Sequence, residues 1–277
     1  MKLLVFAGTT EGTDFVRKAL SQGHAVTVSV ATEYGADVLK EKLSSSPELT
    51  SPCEKNLFIL HGRLSSEEIF SLAPHFDAIV DATHPYAAEV TRNLVSACET
   101  AFVPYYRLLR PSVEIPYAKI HEFDSMESLV RALSQTEGNV FVSTGSRDLQ
   151  AYTAVPDYAR RLFVRVLPST ESIEKCRAAG FEPDHIIAMQ GTFSAALNKS
   201  LFSEYDCHVL VTKESGSAGG FAEKIEAAQS LGMEVFALKP PAETNVSPDN
   251  VFSTAEDILS ALSGNDLFGT LSDFLED

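Results

Sequence analysis

Asp81-Ala82-Thr83-His84-Pro85-Tyr86-Ala87-Ala88-Glu89 gathers an imidazole, a phenol and two carboxylates within nine residues. Such a set can pass a proton or orient a polar ligand near neutral pH. The stretch follows the apolar run Phe76-Asp77-Ala78-Ile79-Val80 and opens a helical pattern through Val90, Leu94, Val95 and Cys98, so it reads as a strand-to-helix turn. Pro85 suits the first helical turn, where its missing N–H has no partner to lose. In open α/β sheets the carboxyl ends of parallel strands line the crevice where ligands bind, and this places His84 and Tyr86 at such an edge.

A second chemical turn is Gly8-Thr9-Thr10-Glu11-Gly12, after the first strand pattern and opening the first helical one. Free backbone N–H groups and the positive end of a helix dipole would face a phosphate there, and Gly8 and Gly12 would let it come close. The turn departs from GxGxxG, since Thr10 and Thr13 stand where the second and third glycines belong, and a plain tight turn is the competing reading. Thr32-Glu33 ends the second strand pattern, where a dinucleotide-binding domain places the acid that accepts from an adenosine ribose; an ordinary helix-start carboxylate reads equally well. Two later loops suit an anion. Ser143-Thr144-Gly145-Ser146-Arg147 ends in a cation, and Thr212–Gly220 carries Lys213 and three glycines, although neither has the Gly-Lys-Ser/Thr order of a phosphate-binding P-loop.

The elements that must position these turns alternate between short β-branched runs and helical patterns, the signature of βα units and a parallel sheet. Strands are expected at Lys2–Ala7, Ala25–Ala31, Leu57–His61, Ala78–Asp81 and Tyr105–Leu109, with helices near Gly12–Gln22, Tyr34–Leu43, Glu67–Leu72 and Glu89–Thr100. A second series has strands near Asn139–Ser143, Leu162–Val166, His185–Met189, His208–Thr212 and Glu234–Leu238, with helices near Ser172–Ala179, Phe193–Ser203 and Ala222–Leu231. Arg110–Phe123, with Pro111 and Pro116, reads as the linker, and Lys119–Phe123 as a short strand of either sheet. The expectation is therefore an α/β protein of two Rossmann-like domains with parallel sheets, residues 1–112 and 113–277, and an active site in the cleft between them.

Composition excludes more than it assigns. The 277 residues, 44% of them hydrophobic, supply ample core for two domains. With 22 basic against 38 acidic residues the formal charge is −16, which argues against nucleic acid or an anionic membrane as the main partner. No apolar run is long enough to span a bilayer and Met1-Lys2 leads straight into a strand pattern, so a cytoplasmic location is expected. Cys53, Cys98, Cys176 and Cys207 are scattered without a CxxC, and the expectation is reduced thiols with neither a metal site nor a disulfide framework.

Several of these motifs occur together in one known family. The chain resembles the precorrin-6A reductases of cobalamin biosynthesis, including the cobalt-precorrin-6A reductases, through Gly8–Gly12, Asp81–Ala87 followed by Arg92-Asn93, Pro104-Tyr105-Tyr106-Arg107-Leu108-Leu109-Arg110-Pro111, Ser143-Thr144-Gly145 and Lys213-Glu214-Ser215-Gly216. The resemblance spans nearly the whole chain with the motifs in order. It implies a nicotinamide cofactor and reduction of one double bond of a tetrapyrrole macrocycle. Gly8, Thr9, Thr10, Glu11, Gly12, Thr32, Glu33 and Thr83 would then bind the cofactor. Arg92, Arg107, Arg110, Arg147 and Lys213, with Ser143, Thr144, Gly145, Ser215 and Gly216, would hold the carboxylate arms of the substrate. His84 would supply the proton, with Tyr86 and Lys213 as rivals. Glu33, with no Lys or Arg beside it until Lys40, favours NADH over NADPH.

Two other readings compete. A short-chain dehydrogenase would need Tyr-x-x-x-Lys, and none of the eight tyrosines has Lys four residues on. A dinucleotide-binding sensor without turnover, or another NAD(P)-dependent reductase, uses the same first turn. The acidic tail 264–277 places Leu267, Phe268, Leu271, Phe274 and Leu275 at helical spacing, an apolar stripe suited to packing on the parent domain or to docking a second copy or a neighbouring pathway enzyme.

Overall fold

The computed structural model describes residues 1–45, 55–109, 115–214, 220–241 and 245–272, with side chains to 264 in the last segment. The chain divides into two compact units, Met1–Pro111 with Ala242–Asp277, and Ser112–Pro241.

The first unit runs β1 (Lys2–Ala7), α1 (Thr10–Ser21), β2 (Ala25–Val30), α2 (Glu33–Ser44), β3 (Leu57–His61), α3 (Ser66–Leu72), β4 (Ala78–Ala82), α4 (Ala88–Ala101) and β5 (Tyr105–Leu108). The second runs β6 (Ile120–Phe123), α5 (Met126–Leu133), β7 (Asn139–Val142), α6 (Tyr158–Arg161), β8 (Leu162–Val166), α7 (Thr170–Ala178), β9 (Ile186–Ala188), α8 (Ala195–Glu204), β10 (Cys207–Lys213), α9 (Phe221–Ser230) and β11 (Glu234–Leu238). The chain then adds β12 (Val251–Phe252) and α10 (Ala255–Ser272).

In the first sheet the order is β3-β2-β1-β4-β5-β12, all parallel, the arrangement of a complete dinucleotide-binding sheet. Its strands read as unbroken apolar runs because both faces are covered. Leu3, Val5 and Ala7 of β1 enter one core with Phe15, Val16 and Ala19 of α1, while Leu4 and Phe6 point to the opposite core with Leu94, Ala97 and Cys98 of α4. Strand order reverses between β1 and β4, which pair from Leu3↔Ala78 to Ala7↔Ala82. The Gly8 and His84 turns leave from the carboxyl ends of those two strands.

The second sheet is also parallel, with order β6-β11-β10-β7-β8-β9. It reverses between β7 and β10, so the two anion-suited loops flank its switch point. The strand expected at Lys119–Phe123 belongs to this sheet, as edge strand β6 beside β11.

The expected second domain, 113–277, ends earlier than the sequence reading placed it. Residues 242–277 return to the first unit: β12 extends its sheet by pairing with β5 (Val251↔Arg107, Phe252↔Leu108), and Ala255, Ile258, Leu259 and Leu262 of α10 bury in the core around α1. Lys18 of α1 also pairs with Glu256 of α10. Burial of these side chains is what ties the segment there. The side chains of Leu267, Phe268 and Leu271, and all of Phe274 and Leu275, lie outside the described residues. Among the described residues no helix is long and apolar enough to cross a membrane, and no cluster of His, Cys, Asp and Glu is arranged to hold a metal ion.

Candidate active site

Asp81, the penultimate residue of β4, is fully buried, and its carboxylate takes five donors. Thr83 donates from its backbone N–H (3.0 Å) and hydroxyl (2.6 Å) to Oδ1, where Arg107 Nη1 also arrives at 3.0 Å; Thr91 (2.7 Å) and Tyr105 (3.0 Å) donate their hydroxyls to Oδ2. Arg107 Nη1 further bonds the carbonyls of Asp81 (3.1 Å) and Thr83 (3.0 Å). One carboxylate thus ties the strand end, the following turn, α4 and β5 together, and a buried charge is tolerable only with such satisfaction. Cys98 beneath it stays a thiol, its pKa pushed up to about 12 by burial first and by the Asp81 charge second.

On this anchor stands an exposed His84. Its Nδ1 accepts from the Tyr86 N–H at 3.3 Å, and the two rings lie 5.3 Å apart. An accepting Nδ1 leaves the proton of the neutral ring on Nε2. The Ala87 N–H bonds the His84 carbonyl at 2.8 Å, and α4 begins only at Ala88. Pro85 therefore occupies this β-turn rather than the first helical turn, as expected for a residue whose fixed φ suits a turn's second position.

Across the switch point, Thr9 caps α1. Its hydroxyl accepts from the Gly12 N–H (3.1 Å) and donates to the Ala82 carbonyl (3.1 Å), locking this turn to the end of β4. Gly12 is buried, and a Cβ there would lie 3.0 Å from Ala82 Cβ. Its smallness serves helix-to-strand approach and not, as the sequence suggested, access for a ligand. Gly8 is the open one: a Cβ on it meets nothing within 4 Å. Thr10 is exposed and Glu11 half-buried at the start of α1. Arg17, one turn further, pairs with Asp14 at 2.5 Å.

The acid at the second strand is displaced from its expected place. β2 ends at Val30, Thr32 caps α2 by accepting from the Gly35 N–H at 3.0 Å, and Glu33 is the exposed first residue of that helix. Sequence reasoning also missed a cation. Gly62, at φ +105°, donates its N–H to the Val30 carbonyl at 3.0 Å, so the exposed Arg63 is held beside the end of β2 despite lying 30 residues from Glu33 in sequence. Only strand pairing brings it there.

In the second unit the β7 loop is tied to β10 by Ser143, whose N–H and hydroxyl both reach the Val211 carbonyl, at 2.8 and 3.1 Å. Thr144 is buried with its hydroxyl 3.0 Å from that of Tyr152, and Gly145 takes φ +81°, a left-handed conformation that favours glycine. Arg147 is exposed. Lys213 Nζ lies 3.1 Å from Asp148 Oδ2, so the lysine expected to meet a substrate carboxylate already has one from the neighbouring loop. Arg92 is exposed on α4. Arg107 is not a substrate cation, because it is 0% exposed and committed to Asp81. Arg110, Ser215 and Gly216 lie outside the described residues.

These turns belong to a recognisable lineage. A sequence model of the precorrin-6x reductase CbiJ/CobK family matches residues 2–263. The chain belongs to this family. Among its relatives, the cobalt-precorrin-6A reductase of Methanothermobacter thermautotrophicus is 37% identical over 94% of this chain and 82% of that protein. The enzyme of the same name from Priestia megaterium is 30% identical over 94% and 97%, and the precorrin-6A reductase of Rhodobacter capsulatus is 27% identical over 95% and 96%. The fold is that of a solved CobK precorrin-6A reductase, with a TM-score of 0.72 and 23% identity over 95% of this chain and 96% of that one. The family's two-domain architecture is thus the one whose switch points carry the turns described above.

Proposed function

We propose that this chain reduces one double bond of a precorrin-6A-type macrocycle, with or without cobalt, using a reduced nicotinamide nucleotide. Membership of the family and relatives named as cobalt-precorrin-6A reductases support the reaction. The observation that carries it is the pairing, at one switch point, of an open helix N-terminus and a histidine turn anchored by Asp81. The residues fit the nucleotide: Gly8 has open space where a Cβ would stand, and it leads into the N-terminus of α1, capped by Thr9. When bound, the nicotinamide supplies the hydride.

The chain's own residues do the rest. Gly8, Thr10 and the start of α1 would hold the diphosphate, and Glu33 the ribose hydroxyls. Thr9 and Thr83 fix the turns and do not spend their hydroxyls on ligand. Exposed His84, once protonated to the imidazolium, in which Nδ1 no longer accepts from the Tyr86 N–H, would give its Nε2 proton to the carbon adjoining the reduced one and return to the neutral ring. Tyr86 flanks that ring. Arg92, Arg147 and Lys213 would neutralise acetate and propionate arms, Lys213 by exchanging Asp148 for a substrate carboxylate.

Glu33 favours NADH, because a 2′-phosphate would meet a carboxylate there. The competing preference, for NADPH, rests on Arg63 beside the end of β2. The decisive assay mixes protein, nicotinamide and oxidised macrocycle and follows both absorbances. Stoichiometric loss of both is expected, and His84→Gln should lower kcat by about 10²-fold with nicotinamide affinity unchanged. Binding of the dinucleotide without macrocycle reduction would establish the sensor reading instead. Comparing kcat/KM for NADH and NADPH in wild type, Glu33→Ala and Arg63→Ala settles the preference: loss of discrimination in Glu33→Ala supports NADH, and a tenfold NADPH preference abolished in Arg63→Ala overturns it.

A further inference from the structure

The second unit holds a pair of cations that the reaction outlined above does not use. Lys224, in the first turn of α9, is 5% exposed, and its ammonium makes no hydrogen bond among the described residues. Its pKa is lowered to about 7, chiefly by burial and then by the neighbouring Arg165 charge, with Glu223 opposing. Arg165, near the carboxyl end of β8, is lowered to about 10 by burial. It donates to Asn198 Oδ1 at 2.8 Å, and its guanidinium lies 5.3 Å from the Phe141 ring centre and 4.8 Å from that of Phe193.

These groups share one edge of the sheet. Arg165 is the penultimate residue of β8, Thr192 and Phe193 follow β9, and α9 starts at Phe221 after Gly220, which has a φ of +65° and supplies no side-chain cap. A Cβ on Gly220 would lie 3.6 Å from Thr192 and 3.8 Å from Glu223 Oε2. A helical side chain leans toward the N-terminus of its helix, so Lys224 leans toward this end. Lys224 and the partly buried Arg165 repel one another, and the one carboxylate acting on Lys224, Glu223, offsets this only in part, its Oε2 buried without a hydrogen-bond partner. Two cations and a helix N-terminus against a single carboxylate leave an excess of positive charge that a further anion completes.

We propose that the N-terminal end of α9, with Lys224 and Arg165, is an anion site, and that it seats a carboxylate arm of the macrocycle. The choice of occupant rests on the reductase reading. The aromatic face of Phe193 beside Arg165 suits an acid borne on a pyrrole ring, whereas the first unit already offers a helix end for nucleotide phosphates.

The test titrates the full chain with glutarate and, separately, with inorganic phosphate, by calorimetry, in wild type and in Lys224→Met, which keeps the length of the stem without the charge. Glutarate is expected to bind and to compete with the macrocycle. Lys224→Met should weaken glutarate at least tenfold and raise the macrocycle KM similarly, with nicotinamide affinity unchanged. Equal glutarate binding in both proteins, or none in either, overturns the site. Phosphate binding without glutarate binding, together with weakened nicotinamide affinity in Lys224→Met, overturns the carboxylate assignment in favour of the nucleotide. If wild type binds glutarate through Lys224 yet reduces no macrocycle, the anion site stands and the reaction, with its occupant, falls. Should Lys224→Met fail to fold, Arg165→Lys and Arg165→Met make the same comparison from the other cation, with binding retained only in the first.

Discussion

In the first unit Asp81 and Arg107 are both fully buried, 3.0 Å apart, and Thr83, Thr91 and Tyr105 are fastened to them. In the second, Lys224 is almost as deeply buried, with the Arg165 charge acting on it and no hydrogen bond to its ammonium among the described residues. A buried pair surrounded by donors holds structure in place. A buried cation that its one neighbouring carboxylate offsets only in part weakens its own domain, and such a cost is intelligible where a ligand repays it. The contrast extends to the exposed end of each site: His84 stands on a rigid anchor, while Lys213 at the end of β10 shares a partly exposed pair with Asp148 of the loop after β7.

The largest effect that could break this contrast is at Asp81. Asp81→Ala leaves Arg107 buried and uncompensated, so stability in urea denaturation should fall by about 3–5 kcal/mol; a loss below 1 kcal/mol would mean that the network is not what holds the turn. The opposite sign is expected at Lys224. Because its folded pKa lies below that of an exposed lysine, the unfolded chain binds the extra proton between about pH 7 and 10.5, so stability should rise with pH across that window. Lys224→Met should add stability on the order of a few kcal/mol at pH 7 and flatten the rise. Melting curves at pH 7 and 9 for both proteins check the sign.

Gly12→Ala should cost about 1–3 kcal/mol, since the new methyl meets Ala82 at 3.0 Å, whereas Gly8→Ala should leave the melting temperature unchanged and weaken nicotinamide binding. Equal destabilisation by the two would erase the distinction between the packing glycine and the ligand-facing one. The smallest change in stability is expected at Lys213. Its partly exposed pair with Asp148 contributes at most about 1 kcal/mol, so Lys213→Met should show its effect in the macrocycle KM, and a stability loss as large as that of Asp81→Ala would merge the two classes of pair.

Much of this was legible locally. β1, β3, β8 and β11 fall at the residues their apolar runs indicate, because strands covered on both faces leave a continuous signal. The chemical turns were legible too, as small and polar residues between a strand and a helix. What could not be read depends on partners far along the chain. An arginine in Tyr105–Leu109 reads as a surface cation, and only the pairing of β4 with β5, which sets Asp81 against Arg107, makes it a core residue. Arg63 gains its place beside β2 in the same way. Lys224 stands in a helical pattern with several other charges, and its burial comes from the packing of α9 on the sheet. Val251-Phe252 is too short to carry any periodicity, so the return of the chain to its first sheet was invisible.

That return has a consequence for biosynthesis. The second unit is an insertion in the first, entered after Pro111 and left at Pro241. A ribosome therefore delivers every strand of the second unit before it delivers β12 and α10. The N-terminal half must wait with the edge of β5 bare and the apolar side of α1 lacking Ile258, Leu259 and Leu262, although it was synthesised first. The part of the protein made earliest is the last that can be completed.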